Sequence, residues 1–165
     1  MGHWSTSSLH ETAASAEAVW SAAYADAAAW PEWNTELATA RLDGELRAGA
    51  VAKVRFKTGL RLRFKVTELE PGRLFTDEAC LPGARLAHRH ELQPLDGGGC
   101  RLLNTISIDG PLSGLWAALA GRRAARALPS GQRIASAMAG GAMRDGSARD
   151  GRGAEGRTGG EARAR

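Results

Sequence analysis

His88, His90 and Asn104 are the residues of this 165-residue chain best suited to chemistry. In the run Ala84 to Leu92, the parity that holds Leu86 and Leu92 also holds both histidines. In Cys100 to Ile108, the parity of Leu102, Ile106 and Ile108 holds Asn104. Successive strand side chains point to opposite faces. If both apolar faces turn inward, two imidazoles and one amide project into an otherwise apolar interior. An imidazole titrating near neutrality can act as general acid or base in an enolisation or cyclising aldol step. An amide can hydrogen-bond the carbonyl or enolate oxygen such a step creates. The same three residues could instead be buried polar groups satisfying one another across strands, or half-exposed edge histidines. The i, i+2 spacing of the histidines is compatible with a shared metal, but the local pattern offers no third ligand. No metal site and no cofactor are expected.

Asp77 and Glu78 add a carboxylate. They lie on opposite faces of one strand, so either could point inward, and a one-residue slip in register swaps them. A carboxyl group in an apolar cavity has a raised pKa and can donate or accept a proton. The plainer expectation is an acid near a loop, facing solvent. Searches for other chemistry are negative: the sequence holds no GxSxG, no P-loop, no GxGxxG opening a helix after a strand, and no HExxH. Hydrolase and nucleotide-dependent readings lose most of their support.

Positioning these side chains requires a sheet. The strands expected are Trp4 to Glu11, Thr35 to Leu42, Val51 to Lys57, Leu60 to Val66, Arg73 to Leu81, Ala84 to Leu92 and Cys100 to Ile108. Leu60, Leu62, Phe64 and Val66 alternate with Arg61, Arg63 and Lys65, the strongest period-2 signal in the chain. Turns at Gly59, Pro71-Gly72, Pro82-Gly83 and Asp96 to Gly99 are too short for parallel crossovers, so the strands form an antiparallel meander. After the first strand, Ser15 caps a helix running to about Ala25 with Val19, Trp20 and Ala23 on one side. Asp26 caps a second short turn that Pro31 ends. Trp30 and Trp33 flank that proline at a packed corner between helix and sheet, where they could close a cavity mouth.

Gly110-Pro111 closes the sheet and starts a last helix, with Leu112, Leu115, Trp116 and Leu119 at helical spacing. Pro129 should kink or break it, with Ile134 and Met138 resuming beyond. Phe56, Phe64 and Phe75 are expected on the inner sheet surface, and Trp116 could line a cavity from the helix. Tryptophans at such positions are more often core packing than a ligand cage. The domain is expected to span 1–139, with a disordered Gly/Ala/Arg-rich tail over 140–165.

A folded part of roughly 135 residues buries about two thirds of its unfolded surface, enough for one core without staples. Cys80 and Cys100 have no CxxC partner; a disulfide is geometrically possible, but free thiols in a reducing compartment are expected. The formal charge of +4 and pI near 9.7 invite a nucleic-acid reading. Much of that charge falls on alternate strand positions, on Arg122, Arg123 and Arg126, and in the tail, so solvated surface is expected instead and nucleic acid is not. The start, Met1 to Thr6, lacks a basic region and an apolar run, and no segment approaches the ~18 apolar residues of a membrane span. A cytoplasmic protein is expected, and the alanine- and arginine-rich composition looks bacterial.

The order strand, helix, turn, six-stranded meander, long helix resembles the helix-grip fold of the SRPBCC superfamily (START, Bet v 1-like proteins, polyketide cyclases and dehydrases). The resemblance covers about residues 3 to 138. It is carried by Asp26-(x)3-Trp30-Pro31-Glu32-Trp33-Asn34, by Val66 to Arg73, by His90-Glu91-Leu92 before Gly98 to Leu102, and by Gly110-Pro111-Leu112. It implies an α+β domain, a curved antiparallel sheet of about seven strands wrapped on the C-terminal helix, with a hydrophobic cavity between them. Such cavities often hold a lipid, sterol, quinone or polyketide. The superfamily shares no single catalytic motif, so no catalytic position is carried over. Expected ligand-binding residues are Trp30, Trp33, Phe56, Phe64, Phe75, His88, His90, Asn104 and Trp116. A hydrophobic or aromatic small molecule is the expected partner. The alternative is a cyclase, aromatase or dehydratase acting through His88, His90 and Asn104, and a third reading is an interaction module working through the basic helix and tail.

Overall fold

A computed structural model describes residues 2–150, with side chains for residues 2–141. Seven strands form one antiparallel sheet: β1 (His3–Thr12), β2 (Leu37–Leu42), β3 (Val51–Phe56), β4 (Arg61–Glu70), β5 (Leu74–Leu81), β6 (Ala84–Pro94) and β7 (Cys100–Asp109). Their order is β1-β7-β6-β5-β4-β3-β2, so the meander closes by bringing β1 beside β7. Leu60, expected to open the fourth strand, stays outside it. Gly59 has φ +92°, and the ladder begins only at Arg61, which leaves Leu60 in the turn.

The chain between β1 and β2 forms the corner. Ser15 caps α1 (Ala16–Val19), its hydroxyl accepting from the Ala18 amide at 3.2 Å. The helix widens into a π-helical turn, Trp20–Tyr24. Asp26 caps a 3-10 turn, Ala27–Ala29, which leads into α2 (Trp30–Trp33). Pro31 therefore does not end a turn. It stands in the first turn of α2, where its missing N–H is no loss.

The last helix starts as α3 (Ser113–Trp116), passes through a second π-helical turn, Ala117–Gly121, and continues as α4 (Arg122–Asp150). Gly110 makes the entry possible. Its φ is +131°, and a Cβ there would lie 2.7 Å from the Gly83 carbonyl oxygen. The expected break at Pro129 does not occur, because the residues around it are held against the sheet: Leu128, Gln132, Ala135 and Ala139 are all buried. Burial on this face outweighs the roughly 3 kcal/mol that an internal proline costs. The helix also continues past the boundary expected at 139. Alanine and arginine favour helix, and Gly140 and Gly141 do not stop it. The rest of the expected tail, 151–165, lies outside the described residues.

One buried amide holds the helix on the sheet. The Gln132 side-chain nitrogen donates to the carbonyls of Ser8 (2.8 Å) and Leu102 (3.0 Å), and its oxygen accepts from the Ser8 hydroxyl at 2.8 Å. Gly131 lets α4 reach the corner, since a Cβ there would sit 3.0 Å from the Trp33 carbonyl oxygen. On the outer face, basic strand residues meet acids: Arg101 with Glu11 at 2.7 Å, Lys53 with Asp43 at 3.0 Å, and Arg89 with Glu68 and Glu91. Cys80 is exposed and Cys100 buried, and both are free thiols.

Candidate functional site

The sheet and the last helix enclose a cavity of about 310 Å³, and its lining is mostly aliphatic and aromatic. Each wall follows from strand alternation. β3 and β4 contribute Val54, Phe56, Leu62 and Phe64; β5 contributes Phe75, Asp77 and Leu81; β6 contributes Leu86, His88 and His90; β7 contributes Asn104, Ile106 and Ile108. The helix covers them with Trp116, Leu119, Ala120, Gly121, Ala124, Ala127 and Leu128. The corner closes the far end with Trp30 and Trp33. All nine residues read from the sequence as ligand contacts thus lie on one cavity wall or another.

The tryptophans do not share one role. Trp30 and Trp33 are buried, and their indole nitrogens donate to the carbonyls of Tyr24 (3.0 Å) and Ala23 (2.8 Å). They build the inner wall and do not close the mouth as expected. Trp116 is half-buried, and its indole nitrogen donates to the Pro82 carbonyl at 2.9 Å, tying the start of the helix to the β5–β6 turn. At the rim, Arg123 of α4 pairs with Glu36, just before β2, and both line the cavity.

Ladder register gathers the polar groups. Phe75 stands opposite His90, which stands opposite Asn104; one row over, Asp77 stands opposite His88. His90 lies between aromatic faces: it stacks on Phe75 with ring centroids 4.2 Å apart and interplanar angle 15°, and Tyr24 and Trp33 approach at 5.2 and 5.4 Å. The His88 and His90 rings are 3.8 Å apart. Of Asp77 and Glu78, Asp77 faces inward, while Glu78 lies on the outer face 3.7 Å from Arg85.

Among the described residues, five buried side-chain atoms have no hydrogen-bond partner, and they belong to this one cluster: Tyr24 Oη, Asp77 Oδ1, His88 Nε2, His90 Nδ1 and Asn104 Oδ1. Asn104 still acts as a hydrogen-bonding neighbour of Tyr24 and His90, so the expected mutual satisfaction across strands is partial. Orphaned buried polar atoms cost about 1–3 kcal/mol each.

Burial also sets the charge of this cluster. It pushes the Asp77 carboxyl up to about 8, with the neighbouring Glu78 adding to the effect. It pushes His88 down to about 4. His90 falls well below the ordinary imidazole range through burial first and the adjacent His88 second, with Asn104 opposing. Tyr24 is raised, again chiefly by burial. His88 keeps some exposed surface because it borders the cavity, yet protein surrounds it and its Nε2 is shut off. At neutral pH the cluster is uncharged: a protonated carboxyl beside two neutral imidazoles. Removing water from around these imidazoles disfavours the cation and keeps them neutral. The group whose pKa falls nearest neutrality is Asp77.

Sequence reasoning did not find Tyr24, Gln132 or the Arg123–Glu36 pair as parts of this arrangement. Tyr24 had a usable signal, lying four residues after Trp20 on the same helix face. The other two depend on how the helix is laid across the sheet.

The chain belongs to the polyketide cyclase/dehydrase and lipid transport family, whose pattern matches residues 3–138. Its fold is the helix-grip fold of the Bet v 1/START superfamily. Norcoclaurine synthase from Thalictrum flavum, solved in complex with dopamine and hydroxybenzaldehyde, superposes with a TM-score of 0.64 at 11% identity, covering 87% of this chain and 88% of that one. The di-domain ARO/CYC StfQ of the steffimycin biosynthetic pathway gives 0.66 at 18% identity, covering 87% of this chain and 52% of that one. A START superfamily protein from Mycobacterium smegmatis gives 0.61 at 19% identity, covering 82% and 96%. No curated protein matches the sequence. Among the described residues, no helix is long and apolar enough to cross a membrane.

Proposed function

We propose that the protein binds a hydrophobic or aromatic small molecule in the cavity between its sheet and its last helix. The observation that carries this is the cavity itself: about 310 Å³, walled by aliphatic and aromatic side chains and interrupted by a few clustered polar groups. Apolar walls supply affinity, and a few placed polar atoms fix orientation. The family's association with polyketides and lipids agrees with this reading, and norcoclaurine synthase was captured with two aromatic compounds. At such low identities those structures speak only for the fold. A direct test is titration with 2-naphthol, followed by quenching of tryptophan fluorescence. Saturable quenching that Ala124→Phe weakens is expected, since that change fills the cavity without removing a polar group. Unsaturable quenching, or quenching indifferent to Ala124→Phe, would sink the reading.

The second reading, a cyclase, aromatase or dehydratase, gains from one observation: Asp77 is a buried carboxyl facing the cavity, which burial raises to about 8. A group so poised is suited to general acid–base work. In this reading Asp77 protonates a carbonyl oxygen or gives up its proton to become the base, and Asn104 orients the substrate oxygen. His88 and His90 then act as neutral hydrogen-bonding partners and not as cationic acids. With family substrates, Asp77→Asn should lower turnover far more than it weakens binding; equal loss of both would leave only the binding role.

A further inference from the structure

Five large apolar side chains are markedly exposed among the described residues: Leu9 (56%), Leu60 (42%), Leu112 (42%), Leu115 (52%) and Leu119 (65%). Four of them gather at one end of the fold. Leu60 and Leu119 line the cavity while remaining exposed, so they stand at its rim. Leu112 caps the start of α3, Leu115 lies within it, and Leu119 sits in the π-helical turn that follows. Leu112 is fixed over the β5–β6 turn, its side chain occupying the space a Cβ on Gly83 would need. A soluble surface rarely concentrates its exposed leucines around a cavity mouth without a partner.

The charges beside these leucines are basic. Arg122 and Arg126 follow Leu119 by three and seven residues, and Lys57 and Arg61 flank the turn that carries Leu60. Among the described residues, none of these four has a carboxylate within ion-pair distance. The acids at this end are engaged: Glu36 with Arg123, and Asp109 with His3. At about 1.5 Å per residue, Arg126 lies roughly 10 Å along the helix from Leu119. That distance is comparable to the depth of a headgroup layer.

We propose that Leu60, Leu112, Leu115 and Leu119 insert into an anionic lipid surface, with Arg122 and Arg126 meeting its headgroups. Aliphatic tips followed by arginines fit an interfacial contact. A protein partner would more commonly be met by exposed aromatic anchors; the aromatics here, Trp4, Phe56 and Trp116, are all half-buried, and the Trp116 indole is bound to Pro82. Docked in this way, the cavity mouth opens toward the acyl region, and an apolar molecule can pass between bilayer and cavity without crossing water. The contact itself does not depend on what the cavity holds.

The test is flotation of the full chain with vesicles of phosphatidylcholine alone, and of phosphatidylcholine mixed with phosphatidylglycerol. Flotation with the mixed vesicles, weakened by salt, is expected. The double variant Leu112→Glu/Leu115→Glu, at two exposed leucines that do not line the cavity, should reduce the bound fraction by about tenfold or more. Leu9→Glu, which changes the fifth exposed leucine on β1, should leave binding intact. Both variants should melt like the parent, and the double variant should still bind 2-naphthol, which separates this contact from occupancy of the cavity. Absence of flotation overturns the proposal. So does flotation that the double variant leaves unchanged, which would place binding in charge alone. Concentration-dependent dimers that vanish in the double variant, without any vesicle binding, would assign the leucines to a second copy of the chain and overturn it as well.

Discussion

Asp77 stands directly across the β5–β6 ladder from His88, both side chains turned to the cavity, and burial shifts their pKa values in opposite directions. The carboxyl is held protonated and the imidazole neutral, so the pair carries no charge at neutral pH. Each group loses stability when it must ionise in the folded state, but in different pH ranges.

For Asp77 the folded pKa, about 8, lies above the unfolded one. Between about pH 4 and 8 the folded state holds a proton that the unfolded state has released, so stability falls as pH rises. For His88 the folded pKa, about 4, lies below the unfolded one, and stability falls as pH drops from about 6.5 to 4. His90 acts in the same direction. From about pH 6.5 to 8 Asp77 acts without the histidines. Asp77→Asn should therefore stabilise the protein at pH 7.5, on the order of 3 kcal/mol, with the gain disappearing near pH 4. Denaturant melts at both pH values check this, and an equal effect at both would contradict it.

Gln132 should be the most sensitive single polar residue for the grip of the helix. Gln132→Ala leaves the Ser8 and Leu102 carbonyls without their donor and opens a gap beneath α4. A loss of about 2–4 kcal/mol is expected from chemical unfolding. A loss below about 0.5 kcal/mol would mean that apolar packing alone holds the helix.

Much of this architecture was legible before any coordinates. The Leu62–Phe64–Val66 alternation and the glycine turns fixed strand number, direction and inward faces, because period 2 leaves little choice once one face is apolar. The parity of His88 and His90 with Leu86 and Leu92 turns both histidines inward, and both line the cavity. The charge state of those imidazoles was not legible, since it depends on how completely neighbouring elements exclude water. The choice of Asp77 over Glu78 was open to the same parity argument, since Asp77 shares the parity of Phe75 and β5 runs beside β6 without a register shift. At Pro129 local propensity marks a kink or a break, and burial of Leu128 and Gln132 keeps the helix from breaking.

The Arg123–Glu36 pair bridges the last helix and the chain leading into β2 at the cavity rim. Arg123 is largely exposed, so the pair adds little to stability. Its expected effect is kinetic. Glu36→Gln should speed both entry and release of 2-naphthol about threefold in stopped-flow fluorescence, leaving the melting temperature within a degree or two. Unchanged rates would remove any gating role.

His90→Leu should leave an aromatic-walled cavity of similar shape while deleting one orphaned nitrogen from the cluster. Stability should stay equal or rise by about 1 kcal/mol, because the stack on Phe75 gives way to aliphatic packing and a buried polar atom is removed. A loss of more than about 2 kcal/mol would show that the His90 nitrogens are satisfied in solution.

The central claim is that a hydrophobic small molecule occupies the space between sheet and helix. It is tested most directly by native mass spectrometry of the solvent-extracted protein after incubation with 2-naphthol, alongside Ala124→Phe. One molecule bound per chain in the parent, and none or little in the cavity-filled variant, is the predicted result. No adduct in either protein, or the same adducts in both, would contradict it.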